Sequence, residues 1–252
     1  MKRTRTNLTH QAHYAIRRPW RIPSHLRRLT RDSWLRLRHA DHVSYYRAVM
    51  KSDIIRGAEG AVGSHNHKRW LALGRLQFDY MMDHGLKPEF RMLEIGCGNL
   101  RAGHLFIDYL DRGNYYGIDI SPDILISALD KVAEHDLQDK VPHLTSVRDL
   151  RFAFLPDGHF DVVHAHSVFS HSPLYVIEEC FANIGRILTR DGWFDFTFGR
   201  TDGKEHQVLR EDFYYRTETL LALADRHHLN ATFMDDWANL HKQSKIRITR
   251  RS

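Results

Sequence analysis

The 252-residue chain carries 37 Lys and Arg against 31 Asp and Glu, a net charge of +6, with 42% apolar residues and two cysteines. That length suits one large domain with an extension, and two cysteines in unlike contexts, Cys97 and Cys180, exclude a disulfide scaffold and disfavour a cysteine zinc site. No apolar run approaches the roughly eighteen residues of a membrane span and the N-terminus lacks the apolar core of a secretory signal, so a chain working in the reducing cytoplasm is expected.

The positive charge is uneven. Residues 1–40 hold eleven Lys and Arg and a single acid, Asp32, a local charge of +10 that leaves −4 for the remainder. Charge so concentrated marks a basic arm rather than a basic catalytic domain. Residues 1–23 mix Arg and Thr with Pro19 and Pro23 and read as extended or disordered. From Ser24 to His39, Leu26, Leu29, Trp34 and Leu37 fall roughly on one helical face, and Arg27, Arg28, Arg31, Arg36 and Arg38 cover the rest. Such a helix can pack on its own domain, lie on an anionic surface through residues 24–39, or meet nucleic acid. Scarcity of acids also admits an organelle transit peptide, although serine is scarce too. Residues 41–90 are expected to be a helical lead-in, where Trp70, Leu73, Leu76, Phe78, Tyr80 and Met81 supply apolar surface and Gly57, Gly60 and Gly63 interrupt it. Residues 91–252 are expected to be the main domain.

The main domain opens with Met92-Leu93-Glu94-Ile95-Gly96-Cys97-Gly98-Asn99-Leu100-Arg101-Ala102-Gly103, an apolar run that breaks into glycines and resumes with helical spacing. It reads as strand, tight loop and helix, in which glycines allow close backbone approach to a ligand and the helix start presents free N–H groups. A second strand, 115–119, ends in Asp119, a carboxylate suited to two ribose hydroxyls. A dinucleotide fingerprint would need glycine at position 101, where this chain has Arg101. Beyond, helices near Pro122–His135, Leu174–Leu188 and Thr217–His228 alternate with strands near His143–Val147, 160–165, Trp193–Phe198, Ala231–Met234 and Ser244–Thr249, and Asp191-Gly192 reads as a turn. Alternation of this kind predicts an α/β fold with a mainly parallel sheet.

Leu93-Glu94-Ile95-Gly96-Cys97-Gly98, then Gly117-Ile118-Asp119-Ile120-Ser121, then Val147-Arg148-Asp149-Leu150 followed by Leu155-Pro156-Asp157-Gly158-His159-Phe160-Asp161 resemble, in order, the motifs of the class I S-adenosylmethionine-dependent methyltransferases. Gly63-Ser64, Gly74-Arg75-Leu76-Gln77-Phe78 and Gly85-Leu86-Lys87-Pro88 look like the lead-in of one subgroup. The resemblance covers about residues 60–250 and implies a Rossmann-like doubly wound sheet of about seven strands, the last antiparallel. It further implies S-adenosylmethionine as cofactor, with Glu94 and Gly96, Cys97 and Gly98 at the methionine end, Asp119 and Ile120 at the ribose, Asp149 and Leu150 at the adenine, and Ala165 at the end of the fourth strand. Asp149, flanked by Arg148 and Arg151, has the alternative of simply pairing with an arginine.

In this fold the segment after the fourth strand, His164-Ala165-His166-Ser167-Val168-Phe169-Ser170-His171-Ser172, lies between the transferable methyl and its acceptor. A hydroxyl acceptor needs a base, and His166 and His171 are the candidates, with helix capping and loop packing as the competing explanations. Their spacing is not the i, i+4 pair of zinc enzymes, so no metal is expected. No Asn/Asp-Pro-Pro-Tyr/Phe or Pro-Cys sequence is present, which disfavours a nucleic-acid base as acceptor. The expected activity is methyl transfer to a small molecule, with an oxygen nucleophile favoured. The competing expectation is a non-catalytic protein that holds the cofactor while its arginine-rich helix docks on an anionic surface.

Overall fold

A computed structural model describes residues 22–64, 66–208, 211–237 and 243–251. Most of the expected extended arm therefore lies outside the described residues. Helices α1 (Ile22–Arg38), α2 (His42–Ile54), α3 (Ala58–Ala61) and α4 (His67–Asp83) precede strand β1 (Met92–Ile95). The chain then alternates through α5 (Gly103–Tyr109), β2 (Tyr115–Asp119), α6 (Pro122–Glu134), β3 (His143–Ser146), β4 (Phe160–Ala165) and α7 (Leu174–Ile187). It finishes with β5 (Leu188–Arg200), β6 (His206–Val208), β7 (Asp212–Tyr215), α8 (Thr217–Arg226), β8 (Leu229–Met234) and β9 (Gln243–Arg250).

Strands β3, β2, β1, β4 and β5 run parallel in that spatial order, and β9 lies antiparallel between β5 and β8. This is the expected Rossmann-like arrangement with an antiparallel late strand. Among the described residues, however, the sheet has nine strands rather than about seven. The addition is the β6–β7 hairpin, which joins the far end of β5 through Gly199↔Tyr214 and Arg200↔Tyr215. A side chain at 199 would meet the Phe213 carbonyl at 2.5 Å, so glycine is what lets the hairpin approach. A second difference is that β5 begins at Leu188 and not after Asp191-Gly192. Leu188 pairs with Phe160 and Trp193 with Val162, so the expected turn is a bulge inside one strand.

The core forms where apolar strand faces meet the inward stripes of α7 and α8, with Phe160, Phe169, Phe181, Phe194, Phe196 and Phe198 all buried. Opposite them, Asp195 is fully buried and receives both Arg247 nitrogens at 2.7 Å, locking β5 to β9 in the Asp195↔Arg247 register.

Helix α1 packs inward through a residue outside the stripe of Leu26, Leu29, Trp34 and Leu37. Leu35 is the residue that turns inward, against Tyr45 and Val49, while Leu26, Trp34 and Leu37 are 56, 51 and 88% exposed. A stripe of Leu26, Trp34 and Leu37 does not pack on its own domain because Arg31, on the inward side with Leu35, bonds Asp53 and Glu211. Among the described residues no helix is long and apolar enough to cross a membrane.

Helix α4 presses on the glycine loop. Asn66 caps its first turn by accepting from Arg69 N–H at 2.8 Å, and Trp70 Nε1 donates to Asn99 Oδ1 at 3.0 Å. At Gly74 a Cβ would overlap the Arg101 carbonyl, so the helix can sit this close only with glycine there. Gly74→Ala should lower stability by roughly 1–3 kcal/mol despite alanine's better helix propensity, and thermal or urea unfolding reads the loss. An unchanged or raised midpoint would mean that the contact relaxes freely.

Candidate active site

The carboxyl ends of β1, β2 and β4 open into one cavity of about 1630 Å³. Its floor is the loop after β1, where the Gly96 and Cys97 N–H groups both donate to the Ile118 carbonyl at 2.7 and 3.1 Å, and Gly96 and Gly98 take positive φ of 70° and 55°. Val168, from the loop after β4, leans on Gly96 so closely that any Cβ there would overlap it, and Val62 lies 2.8 Å from the position a Cβ would take on Gly98. Both valines line the cavity, so the space above these glycines is taken by valine side chains and only glycine fits beneath them.

Two buried carboxylates face this floor. Asp119 is 8% exposed, accepts from Gly98 N–H at 3.0 Å and Ser121 N–H at 2.8 Å, and has its pKa pushed up to about 6 by burial, against the pull of those hydrogen bonds. Glu94 accepts from the Tyr115 hydroxyl at 2.5 Å, and burial raises it to about 7 although Tyr115 and the nearby Arg101 oppose the shift. Arg101, where the dinucleotide fingerprint would have glycine, donates to the Val62 carbonyl at 2.8 Å and thereby ties the lead-in to the loop. Gly103 has a separate reason to be glycine. A Cβ there would lie 2.5 Å from the Tyr115 hydroxyl and 3.0 Å from Glu94 Oε2.

Beyond β4 the backbone turns through Ser167, with φ of 59°, whose N–H donates to Thr197 Oγ1 at 2.8 Å. Gln243 accepts from the Ser167 and Thr197 hydroxyls and donates to Ser170 Oγ, which fastens the turn to β5 and β9. The turn delivers His171. Its Nδ1 lies 2.7 Å from the Glu211 carbonyl and 3.2 Å from Asp212 Oδ1, so this nitrogen carries the hydrogen and, in the neutral ring, Nε2 keeps the lone pair. Burial pulls the His171 pKa down, but the Asp212 hydrogen bond and charge, with Glu211, outweigh it and the net shift is upward. Tyr46 of α2 stacks on His171 at 5.9 Å, and His42 Nε2 donates to the His171 carbonyl at 2.9 Å.

Of the residues expected from sequence, Glu94, Gly96, Cys97, Gly98, Asp119, Ile120, Asp149, Leu150, His166 and His171 all line the cavity. Ala165 does not. It is fully buried in the core cluster, because the strand's alternation turns it away from the crevice. Asp149 accepts from Arg151 N–H at 3.1 Å, while the Arg151 side chain hydrogen-bonds Glu179. Leu150 N–H donates to Glu179 Oε2 at 3.0 Å. His166 packs edge-on to Trp237 at 5.8 Å and lies 6.4 Å from the ring of His164, a residue that is itself outside the cavity lining. Sequence reading missed Arg31, His42, Tyr46, Glu211 and Asp212. The last two sit on a hairpin that carried no strand signal, and the lead-in residues were recognisable as a cover without any sign of which side chains point in. Among the described residues no cluster of three or more His, Cys, Asp or Glu could hold a metal.

Residues 93–194, from β1 to β5, match the family described as a methyltransferase domain. Over that stretch the chain is similar to a methyltransferase domain. Its fold is that of the magnesium protoporphyrin IX methyltransferase ChlM from Synechocystis PCC 6803, solved with bound SAM, at 15% identity and a TM-score of 0.63 over 84% of this chain and 98% of that one. A TehB-like SAM-dependent methyltransferase from Corynebacterium glutamicum is similar at 20% identity and a TM-score of 0.54, covering 81% of this chain and 99% of the other. The [4+2]-cyclase SpnF also shares the fold, at 15% identity and a TM-score of 0.56 over 71% and 81%. The ChlM structure was solved with SAM, and the cavity of this chain offers a hydrogen-bonded glycine loop and two carboxylates to a ligand. Val168 and Val62 lie over Gly96 and Gly98, and Glu94 and Asp119 are two buried carboxylates beside the loop.

Because Glu94 titrates higher folded than unfolded, its contribution to stability is complete below its ordinary pKa of 4.5 and is lost as pH rises through about 7. Glu94→Gln removes that loss. Between pH 4.5 and pH 8 the unfolding free energy of the ligand-free variant should gain up to about 3 kcal/mol on the wild type. Denaturant unfolding at both pH values reads this, and parallel pH curves would contradict it.

Proposed function

We propose that this methyltransferase moves a methyl group to a small-molecule acceptor through an oxygen nucleophile, with His171 as the general base. One observation carries the reading: a histidine with its Nδ1–H bound by Glu211 and Asp212 lines the same cavity as the glycine floor and Asp119. Bound S-adenosylmethionine supplies an electrophilic methyl carbon on a sulfonium, so the chain's own task is to orient the acceptor, exclude water and remove a proton.

In this reading Glu94 and Gly96 to Gly98 hold the methionine end, Asp119 with Ile120 the ribose, and Asp149 with Leu150 the adenine. His171 Nε2 takes the acceptor's hydroxyl proton as the oxygen attacks. Asp212 stabilises the imidazolium that results and fixes the ring orientation, and Tyr46 limits its rotation. His166 forms part of the wall next to the reacting centre. Helices α1 and α2 roof the acceptor end, since Arg31, His42, Tyr46 and Asp53 line the cavity together. A purely structural role for the cofactor would give no reason for an oriented histidine in this cavity, and the docking-protein reading is the weaker one.

The test is release of S-adenosylhomocysteine with a panel of hydroxylated and amine-bearing small molecules. His171→Ala should lower kcat by about 10²–10⁴-fold with the calorimetric affinity for S-adenosylmethionine unchanged. In the wild type kcat/KM should rise with pH through the elevated His171 pKa, and Asp212→Asn should move that limb to lower pH. Equal turnover by His171→Ala, or acceptance of amines alone, would overturn the oxygen and base assignments.

A further inference from the structure

Helix α1 has two faces with different partners. On the inner side Arg31 bonds Asp53 of α2 at 2.8 Å and Glu211 before β7 at 2.5 Å, and Leu35 packs with Tyr45 and Val49. On the opposite side Leu26, Trp34 and Leu37 project into solvent, and Leu37 is the most exposed large apolar residue among those described. At 100° per residue these three lie within one quadrant of the helix. Arg36 and Arg38 are exposed beside them, and the Arg38 guanidinium lies 3.9 Å from the centre of the Trp34 ring.

A helix with Leu and Trp on one side, flanked by arginines, has the make-up of an element that lies in the interface of a bilayer. The charge selects the lipid. Residues 1–40 carry +10 whereas the remainder carries −4, so the complementary surface is anionic and this end of the molecule is the one it attracts. A nucleic acid would complement the arginines equally but gives no partner to Leu26 and Leu37, which favours lipid.

We propose that the outer face of α1 seats the protein on an anionic membrane surface, inserting Leu26, Trp34 and Leu37 between headgroups while Arg36 and Arg38 contact lipid phosphates. Because Arg31 on the other side of the same helix lines the cavity, docking brings the acceptor end of the site against the bilayer, where an amphipathic acceptor can enter beneath α1. Only this last consequence rests on the proposed methyl transfer. Vesicle binding is read without turnover, so either idea can fail alone.

The test is flotation of the full-length protein with vesicles of phosphatidylcholine, with and without phosphatidylglycerol. Binding should appear only with the anionic lipid and weaken as salt is raised. Trp34→Ser combined with Leu37→Ser should reduce it at least about tenfold, and Arg36→Gln with Arg38→Gln by about fivefold per charge, with thermal midpoint and S-adenosylmethionine affinity retained. Several outcomes overturn the proposal: equal binding to neutral vesicles, full binding by the Trp34/Leu37 variant, or a dimer in sedimentation velocity that this variant dissolves. Binding to duplex DNA that the same variant abolishes would assign the face to nucleic acid instead.

Discussion

The site depends on one small constraint, the carboxylate of Asp119 bridging two backbone N–H groups. Oδ2 takes Gly98 N–H and Oδ1 takes Ser121 N–H, so the loop after β1 and the start of α6 are held to a single side chain at the end of β2. Without that bridge the positive-φ glycines would have many conformations open to them, and the floor of the cavity would not be preformed. Burial makes the bridge costly, because a desolvated carboxylate titrates near 6 instead of 3.8. Glu94 carries a similar burden next to it. Two carboxylates kept in an unfavourable setting at a strand-end crevice are expected where a ligand repays their desolvation.

The lead-in completes the enclosure through backbone contacts more than through apolar bulk. Gly74 lets α4 touch the Arg101 carbonyl, Trp70 holds Asn99, Arg101 reaches back to Val62, and Arg47 donates to the Ile120 carbonyl. Behind the floor runs a buried polar layer. His164 meets Gln77 at 3.2 Å, and Lys245 stands between Tyr80 and Trp237 with its nitrogen 3.8 and 4.1 Å from their ring centres. Burial lowers the Lys245 pKa to about 7, and no hydrogen-bond acceptor reaches its nitrogen among the described residues, so its contacts there are with the two ring faces, as cation–π pairs when it is protonated.

Much of this was legible from residue order. Strands β1, β2 and β4 and helices α6 and α7 fall where periodicity and turn residues put them, because buried parallel strands read as apolar runs and Ser121-Pro122 and Asp191-Gly192 interrupt them. The interruption at Asp191-Gly192 misled only in kind, since a bulge and a turn share the same residues. The hairpin of β6 and β7 was not legible. Its strands are three and four residues long, too short for a periodic pattern to be read, so it is defined by pairing with β5 rather than by its own sequence. For the same reason Asp212 could not be matched with His171, 41 positions earlier in the chain. The orientation of α1 stayed open in the sequence because its apolar residues have helical spacing whether they pack on protein or face outward, and the Arg31 ion pairs are what turn the other side inward.

The most direct test of the account is a crystal structure of the full chain with S-adenosylhomocysteine. The account predicts both ribose hydroxyls about 2.5–3.0 Å from the Asp119 carboxylate, with the amino-acid end over Gly96 to Gly98 beside Glu94. Ligand density anywhere else in the cavity, or a ribose that leaves Asp119 bonded only to Gly98 and Ser121, would contradict it.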